Sequence, residues 1–358
     1  MPLLLNWKCR YNIKRISSTI LIIRNNRERN KMSKVVLLTT GGTIASTKDK
    51  KTGLLKAGVL TGNEILSMKN LLSDLGVEVE VESIFQIPSN CMTFNHLLIL
   101  KEKIEQIFKH NSIDGIVITH GTDTLEETAY FLDLTISNER PIIVTGSQRG
   151  PTELGTDAFT NIRQSIIAAS DIHTNGIGTM VQFNERIFSA RYAKKIHSYN
   201  TNAFSSFGYG YLGIVDRNKV FIYQKPVEKE FYKIVNSIPI VDIIKFSLGS
   251  NGKFIYCSVK SGARGIVLEG AGRGHIPPQA VEAVDFAIAH GVKVVLTTSC
   301  EEGEVFPIYD FAGGAKDLQD RGVITGKDYD SKKARIKLSV LLASGIDDIE
   351  YIQKCFLR

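Results

Sequence analysis

Short apolar runs alternate with amphipathic segments along the chain from about residue 34 to its carboxyl end. The runs have the length of buried strands, and the segments between them repeat apolar residues at three- and four-residue spacings, as helices do. This alternation favours an α/β fold, in which helices cover the faces of a sheet. After a first strand that begins near Val35, strands are predicted at 77–81, 113–118, 141–145 and 178–183, and helices at 63–73, 93–110, 126–136 and 157–170.

Between residues 223 and 239 the apolar residues follow no clear period, and we interpret this segment as a linker. The pattern then resumes, with strands predicted at 240–246, 265–268 and 292–298 and helices at 277–290, 331–343 and 347–356. Pro277 at the start of one helix and Gly291 just past its end have the usual placement of these residues at helix ends. The sequence thus predicts an N-terminal domain of residues 32–222 and a C-terminal domain of residues 240–358.

A chain of 358 residues, 43% hydrophobic and 23% charged, has the size and composition of a globular protein with two domains. Its formal charge is +7, but residues 1–31 hold eight Lys/Arg and one Glu, so the remainder is neutral. A neutral body argues against a nucleic-acid-binding surface, which needs clustered Lys and Arg. Small molecules are therefore the expected partners.

The basic segment 1–31 is interpreted as a non-native start or a dispensable extension, with Met32 as the expected initiator, because Met32 directly precedes the first predicted strand. A targeting peptide and an interaction arm are the alternatives. The apolar runs in this segment are too short and too interrupted by charges to form a membrane anchor or a secretory signal. The five cysteines are scattered without paired spacing, which indicates neither a disulfide framework nor a zinc site. We therefore expect a cytoplasmic protein with free thiols and no membrane contact.

Two of the predicted strands lead into glycine-rich turns that carry threonine: residues 39–43 read TTGGT and residues 119–124 read THGTDT. Glycine lets the backbone adopt positive φ and come close to a ligand. Since ligands bind outside the carboxyl ends of strands in open α/β sheets, Thr43 and Thr122 are expected to converge on one pocket. This pattern is typical of an enzyme.

These strings, in this order and spacing, resemble the two signatures of the asparaginase/glutaminase family of bacterial-type amidohydrolases. The matching residues are 40–45 (TGGTIA) and 120–129 (HGTDTLEETA), and the resemblance extends from about Lys34 to the carboxyl end. It implies an asparaginase-type α/β fold with a larger N-terminal mixed-sheet domain and a smaller C-terminal parallel-sheet domain. It also implies hydrolysis of L-asparagine to L-aspartate and ammonia without a cofactor, by a homotetramer or homodimer with sites at the subunit interface.

Hydrolysis of a side-chain amide requires a nucleophile, a base that removes its proton, and donors that stabilise the oxyanion. By the resemblance, Thr43 is the leading nucleophile. Thr122, Asp123 and Lys195 form a second catalytic group, which either activates water or serves the first half-reaction. Counting from the Asn and Arg that precede the lysine in the family assigns its role to Lys195 and not to Lys194.

The resemblance also implies the substrate-binding residues. Asp123 is expected to hold the α-ammonium group of the substrate. The hydroxyl of Ser89 and the amide of Asn90, at a position where relatives often carry Gln, are expected to bind the α-carboxylate. Gly42 and Gly121 would offer backbone N–H groups to the reacting carbonyl oxygen.

Two positions depart from the family pattern. Leu55 stands where relatives often carry a tyrosine on the loop after the first signature, so a hydroxyl that would contact Thr43 is missing. Whether Tyr192 or Tyr199 replaces this hydroxyl is left open by the sequence. Arg273 stands where relatives tend to place Asn, and its guanidinium is either a surface group or a contact to the substrate.

Some of these residues also fit ordinary structural roles. Ser89 precedes a predicted helix and fits an N-cap. His120 and His275 lack a second ligand at metal-binding spacing, so they are expected to be structural and no metal site is expected. The glycine-rich segment 270–274 lacks the Lys-Ser or Lys-Thr of a phosphate loop, which argues against nucleotide binding.

Three other functions are compatible with the signatures to different degrees. A glutaminase-asparaginase of dual specificity is one, because one extra methylene changes discrimination by only about 1–3 kcal/mol. A tRNA-dependent amidotransferase subunit fits less well, because it needs a further N-terminal domain and a basic RNA-facing surface. A non-catalytic amino-acid sensor is suggested only by Leu55, and the retained threonine, aspartate and lysine residues argue against it.

Overall fold

The computed structural model describes residues 32–49, 51–52, 55–56, 62–67 and 71–357. The leader of residues 1–31 and the side chain of Leu55, both considered above, lie outside the described part of the chain. In the described part of the chain, helices and strands alternate over residues 62–170 and again over residues 253–343, whereas strands follow one another over residues 33–56 and 179–245. None of the helices described there is long and apolar enough to cross a membrane.

The main sheet of the N-terminal part is mixed. The strands of this part are β1 (Ser33–Gly41), β2 (Thr47–Lys48), β3 (Leu55–Lys56), β4 (Val77–Ile87), β5 (Gly115–Thr119), β6 (Ile142–Thr145), β7 (Thr179–Phe183), β8 (Arg186–Ser189), β9 (Lys194–Lys195), β10 (Phe204–Ser205), β11 (Gly213–Asp216) and β12 (Lys219–Ile222). Among the described residues the main sheet has the order β12-β11-β8-β7-β6-β5-β1-β4. Its pairs from β7 to β4 are parallel, and its pairs from β12 to β7 are antiparallel.

The sheet of the C-terminal part is smaller and entirely parallel. Its strands are β13 (Val241–Lys245), β14 (Gly265–Gly270), β15 (Lys293–Thr298) and β16 (Ile324–Thr325), paired in that order. The prediction of a larger mixed sheet followed by a smaller parallel sheet is therefore confirmed. Residues 223–240, between the last strand of one sheet and the first of the other, form neither helix nor strand.

Helices cover both faces of the main sheet. The helices are α1 (Gly62–Ser67), α2 (Phe94–Ile107), α3 (Leu125–Thr135), α4 (Ala158–Ser170), α5 (Lys253–Lys260), α6 (Val281–Ala289), α7 (Ala315–Asp320), α8 (Ser331–Ala343) and α9 (Ile349–Phe356). In β1, Val36 and Leu38 pack with α2 and α3, while Val35 and Leu37 pack on the opposite face with α4. Because both faces are buried, the strand is a continuous apolar run rather than an alternating one.

Helix α8 joins the two parts of the molecule. It contacts α3 on one side and strands β13 and β14 on the other. Leu338 and Leu341 of α8 belong to the same hydrophobic cluster as Tyr130 of α3 and Val267 of β14. The core of the N-terminal sheet is therefore continuous with one face of the C-terminal sheet.

Several predicted elements differ from those observed. Of the helix predicted at 63–73, residues 63–67 are helical and residues 71–73 form turns, while residues 68–70 lie outside the described part of the chain. Strand β4 continues to Ile87, beyond the predicted residue 81, with alternating partly buried and exposed positions over much of its length. The turn between β7 and β8 consists of Asn184 and Glu185, both with positive φ (48° and 68°), and without glycine it gave no hairpin signal. Among the other elements that were not predicted, α7 has six residues and β16 has two, too few to show a period, whereas α5 was missed although it is as long as α9.

Candidate active site

The two glycine-rich turns meet at the carboxyl ends of the neighbouring strands β1 and β5. Gly42 has a φ of 81°, and a Cβ atom placed on it would lie 2.4 Å from Gly121 Cα. A Cβ on Gly121 would in turn lie 2.6 Å from Oγ of Ser89, which follows the end of β4. Such distances leave no room for a side chain at either glycine. Glycine at both positions therefore lets three strand ends converge.

The second signature forms a compact polar group with Lys195. The backbone of Lys195 lies in the short strand β9 and pairs with Phe204 of β10. Its Nζ donates to Thr122 Oγ1 at 2.8 Å and to Asp123 Oδ1 at 2.7 Å. Thr122 is buried, whereas the side chain of Asp123 is 66% exposed. The structure thus brings together three of the predicted residues and leaves a carboxylate within reach of a ligand.

The sequence analysis missed Gln148, which follows strand β6. Thr122 Oγ1 donates to Gln148 Oε1 at 3.2 Å, and Gln148 Nε2 donates to the backbone oxygen of His197 at 2.9 Å. The Gln148 loop is fixed by Asp157, whose carboxylate accepts the backbone N–H groups of Gln148 and Arg149, both at 3.0 Å. The hydroxyl hydrogen of Thr122 is therefore directed to Gln148, and its oxygen accepts from the lysine. In the sequence, Gln148 stands two residues after Gly146, which directly follows a predicted strand. The two signatures also have glycine after a strand, so this signal could have identified the Gln148 loop.

Thr43 begins the single turn of 3-10 helix Thr43–Ala45 and is partly exposed. The turn is held by Ser46, whose Oγ donates to the Gly42 oxygen and whose N–H donates to the Thr43 oxygen, both at 2.9 Å. Among the described residues, none hydrogen-bonds to the Thr43 hydroxyl. Thr43 thus lies next to the Gly42–Gly121 contact with its side chain partly exposed.

Ser89 and Asn90 lie together in the 3-10 turn Ser89–Cys91. Ser89 is buried, and Asn90 is exposed. The structural interpretation of Ser89 as a helix N-cap is wrong, because Thr93 caps α2 and forms a reciprocal capping box with His96. Ser89 is instead held by Thr124, whose Oγ1 donates to its backbone oxygen at 2.8 Å. The second signature thus fixes the turn that carries both residues.

His120 is a buried part of the scaffold beneath the second signature. Its Nδ1 lies 2.7 Å from the Gly121 oxygen and its Nε2 lies 3.0 Å from Thr128 Oγ1. Burial lowers the pKa of His120 to about 4, so the ring is neutral at pH 7. A carbonyl oxygen can only accept, so Nδ1 carries the hydrogen and Nε2 accepts from Thr128. The ring therefore fixes the Gly121 carbonyl.

The other singled-out residues of the C-terminal sheet lie in a separate group. The His275 ring packs edge-on against Tyr309 and Phe311, and burial lowers the pKa of His275. The Arg273 guanidinium lies over the Phe306 ring, 5.5 Å from its centroid. In the described part of the chain, no group of three or more His, Cys, Asp or Glu side chains has an arrangement that would hold a metal ion.

Neither tyrosine considered as a substitute for the missing loop hydroxyl hydrogen-bonds to Thr43. Tyr192 stacks on Tyr209 with 3.7 Å between ring centroids, and its hydroxyl donates to Asp328 Oδ2 at 3.1 Å. Tyr199 is exposed and lies under the Arg149 guanidinium. The Tyr192 hydroxyl is thus committed to the C-terminal domain.

Comparison with known proteins places this geometry in a family. The family model described as "Asparaginase, N-terminal" matches residues 34–228, and that described as "Glutaminase/Asparaginase C-terminal domain" matches residues 240–356. The chain is 54% identical over 318 residues to the L-asparaginase of Bacillus licheniformis, covering 88% of this chain and 98% of the relative. It is 32% identical to the glutaminase-asparaginase of Pseudomonas aeruginosa, covering 91% of this chain and 90% of the relative.

A solved structure shows the same architecture. The crystal structure described as a probable cytoplasmic L-asparaginase from Campylobacter jejuni superimposes with a TM-score of 0.82 at 32% identity, covering 91% of this chain and 99% of that one. Two family models that together span both domains, and relatives covered over nearly their full length, agree with the convergence of the two signature turns. The chain therefore belongs to the asparaginase/glutaminase family.

Proposed function

We propose that this protein hydrolyses the side-chain amide of L-asparagine to L-aspartate and ammonia. The observation that carries the proposal is the Lys195 amine, which bonds both Thr122 and Asp123 at the crevice where Gly42 and Gly121 meet. The identity to an L-asparaginase over 98% of that relative's length supports the choice of substrate.

Thr43 is the proposed nucleophile. Its Oγ1 attacks the amide carbon while its proton passes to a base, and the C–N bond breaks as the nitrogen gains a proton and leaves as ammonia. The resulting ester is then cleaved by water, which releases L-aspartate and restores the threonine. Backbone N–H groups at Gly42 and Gly121 stabilise the oxyanion that forms in each half-reaction. These steps require no cofactor.

Thr122, Lys195 and Asp123 form the second catalytic group. The amine lies 2.8 Å from Thr122 Oγ1, so a proton can pass between the two side chains. The group either activates the water of the second half-reaction or accepts the proton of Thr43 in the first. Measurement of the initial burst of ammonia separates these roles. Loss of Lys195 would abolish the burst if the group serves the first half-reaction, and would leave the burst in place if the group activates the water of the second.

The substrate's charged groups match polar side chains around the crevice. The exposed carboxylate of Asp123 binds the α-ammonium group, since an ionised acceptor strengthens such a bond. Ser89 and Asn90, on one turn beside Gly121, bind the α-carboxylate. L-Glutamine carries the same two groups, and the likeness to a glutaminase-asparaginase favours dual specificity as the second candidate.

Ammonia release from L-asparagine and from L-glutamine tests the proposal, with protein that starts at Met32. We expect kcat/KM to favour L-asparagine, and Thr43→Ala to abolish release while Thr47→Ala, the same change four residues further on, leaves it intact. Comparable kcat/KM for both amides would establish the dual enzyme instead. Release that persists in Thr43→Ala would refute the nucleophile.

A second pair of variants tests the lysine. We expect Lys195→Met to lower kcat by at least about 100-fold, the usual worth of a positioned acid or base, with a smaller change in KM. Lys194→Met is the matched control, because the neighbouring Lys194 bonds Glu301 instead of the signature. An unchanged kcat in Lys195→Met would remove the second catalytic group from the mechanism.

We also infer that the protein acts in the cytoplasm as a homotetramer or homodimer with its sites at the subunit interface. The four cysteines of the described part are free, and the Campylobacter jejuni neighbour is described as a "Probable Cytoplasmic L-asparaginase". Light scattering coupled to size exclusion would give the number of subunits. A monomer with full activity would refute the interface site.

A further inference from the structure

A buried carboxylate lies directly behind the proposed catalytic lysine and is not used in the chemistry. Glu126 is in the first turn of α3, three residues after Asp123, and its side chain is 1% exposed. Its Oε2 accepts the backbone N–H of Lys195 at 2.6 Å. Its Oε1 accepts the ammonium of Lys332, at the start of α8, at 2.8 Å. Both oxygens of one side chain thus connect the lysine strand to the C-terminal domain.

Lys332 and the next residue, Lys333, stabilise this connection. A carboxylate this deeply buried needs a partner, because an unpaired buried charge is strongly unfavourable. Burial opposes the charge of Lys332, but the charge and hydrogen bond of Glu126, together with the charges of Glu127 and Asp330, raise the pKa of Lys332. The next residue, Lys333, is also buried and donates to the backbone oxygens of Glu126 and Ala190, at 2.6 and 2.7 Å. Two consecutive lysines of α8 therefore hold the first turn of α3.

We propose that Glu126, held by Lys332, is a positioning residue that sets the distance between Lys195 and the second signature. Glu126 belongs to the same chain segment as Thr122 and Asp123, and it fixes the backbone of Lys195 through one hydrogen bond. The amine of Lys195 then reaches both signature side chains at 2.7–2.8 Å. The C-terminal domain of the same chain thereby controls the geometry of the amide-hydrolysing group. The inference rests on the role proposed for Lys195.

Variants at Glu126 and Lys332 test the inference by steady-state kinetics on L-asparagine. A displacement of about 1 Å at a reacting group costs on the order of 100-fold in rate. We therefore expect Glu126→Gln to lower kcat about 10- to 100-fold with KM changed no more than about threefold. Lys332→Met should lower kcat in the same way, and Lys332→Arg, which keeps the charge, should restore most of it.

Glu127→Gln is the matched control. Glu127 is the next residue of α3; it lies near the charge of Lys332 and forms a loose ion pair with Arg335 at 3.8 Å, but in the described part of the chain its side chain has no hydrogen bond to Lys332 or Lys195. The Glu127→Gln variant should keep the wild-type kcat. Because the side chain of Lys332 is 43% exposed, its variants should fold even if Glu126→Gln does not. Unfolding curves measured on each variant give the concentration of folded enzyme to which kcat is referred.

The outcomes separate this inference from the proposed function. Wild-type kcat in both Glu126→Gln and Lys332→Met, alongside collapse in Lys195→Met, would overturn the positioning role and leave the proposed function standing. A lower stability with unchanged kcat per folded enzyme would also overturn it. Loss of kcat in Lys332→Met with rescue by Lys332→Arg would support it. Unchanged turnover in Lys195→Met would refute the catalytic role on which it rests.

Discussion

At the scale of the residue, Gly42 sets the strictest steric demand on the site. Alanine there would place its Cβ 2.4 Å from Gly121 Cα at a φ of 81°. Gly249→Ala is the matched control, because Gly249 has a φ of 79° but nothing lies within 4 Å of its Cβ. We expect the control to lose about 1–2 kcal/mol of unfolding free energy, and Gly42→Ala about 1–3 kcal/mol more, together with most of its turnover. Urea unfolding and ammonia release measure these effects, and equal losses in the two variants would contradict the steric argument.

Which site residues the sequence identifies depends on how local their signal is. Thr122 and Asp123 stand in one short string, in which an apolar strand is followed directly by a glycine-containing turn. Lys195 could be assigned only by counting along a family pattern, because its contact to Thr122 spans 73 residues. Gln148 and Glu126 were missed for a related reason. Their roles arise from hydrogen bonds to distant segments. A strand end followed by glycine precedes Gln148, and the second signature contains Glu126, but neither signal specifies those bonds.

At the scale of the element, the turn from β5 to α3 is held by His120, and this makes stability depend on pH. Burial lowers the pKa of His120 to about 4, from an ordinary value of about 6.5. Between these values the unfolded chain binds a proton that the folded chain does not. The folded state therefore loses stability as pH falls from about 6.5 to 4, by about 1.4 kcal/mol per pH unit from this residue.

Urea unfolding at pH 7, 6 and 5 would measure this contribution. We expect His120→Gln to flatten the pH dependence of the unfolding free energy relative to the wild type. His110→Gln, the same change at an exposed histidine, should leave it unaltered. The same slope in His120→Gln and in the wild type would show that this ring is not the titrating group.

Elements buried on both faces were predicted best, because a short, mainly apolar run bounded by turn residues is typical of a buried strand. Strands β1, β5, β6 and β7 are of this kind. Segments that are stabilised mainly by their neighbours were predicted less well. Strand β9 has two residues, too few for any period, and it forms because β10 pairs with it and Glu126 accepts its N–H. The spacing of apolar residues therefore does not predict the strand that carries the proposed catalytic lysine.

At the scale of the whole molecule, the domain division at residues 223–239 remains a proposal, since the two sheets share one hydrophobic cluster through α8. A buried ion pair strengthens this junction. Lys337 of α8 is fully buried, and its Nζ donates to both carboxylate oxygens of Glu230, at 2.8 and 2.7 Å. Tyr329 Oη and the backbone oxygen of Cys355 also accept from this amine, so its three N–H groups are shared among four acceptors. Burial lowers the pKa of Lys337 to about 8, against the opposing charge of Glu230.

Removing one member of this pair should cost far more than replacing both. Lys337→Met leaves a buried carboxylate without its cation, so we expect a loss of about 3–5 kcal/mol in unfolding free energy. The double variant Lys337→Met/Glu230→Gln leaves no unpaired charge and should recover much of that loss. The exposed pair of Lys316 and Asp320 is the control, and Lys316→Met should change the unfolding free energy by less than about 1 kcal/mol. Additive losses in the double variant would contradict this account, because the segment between the domains would then be held by packing and not by the charge pair.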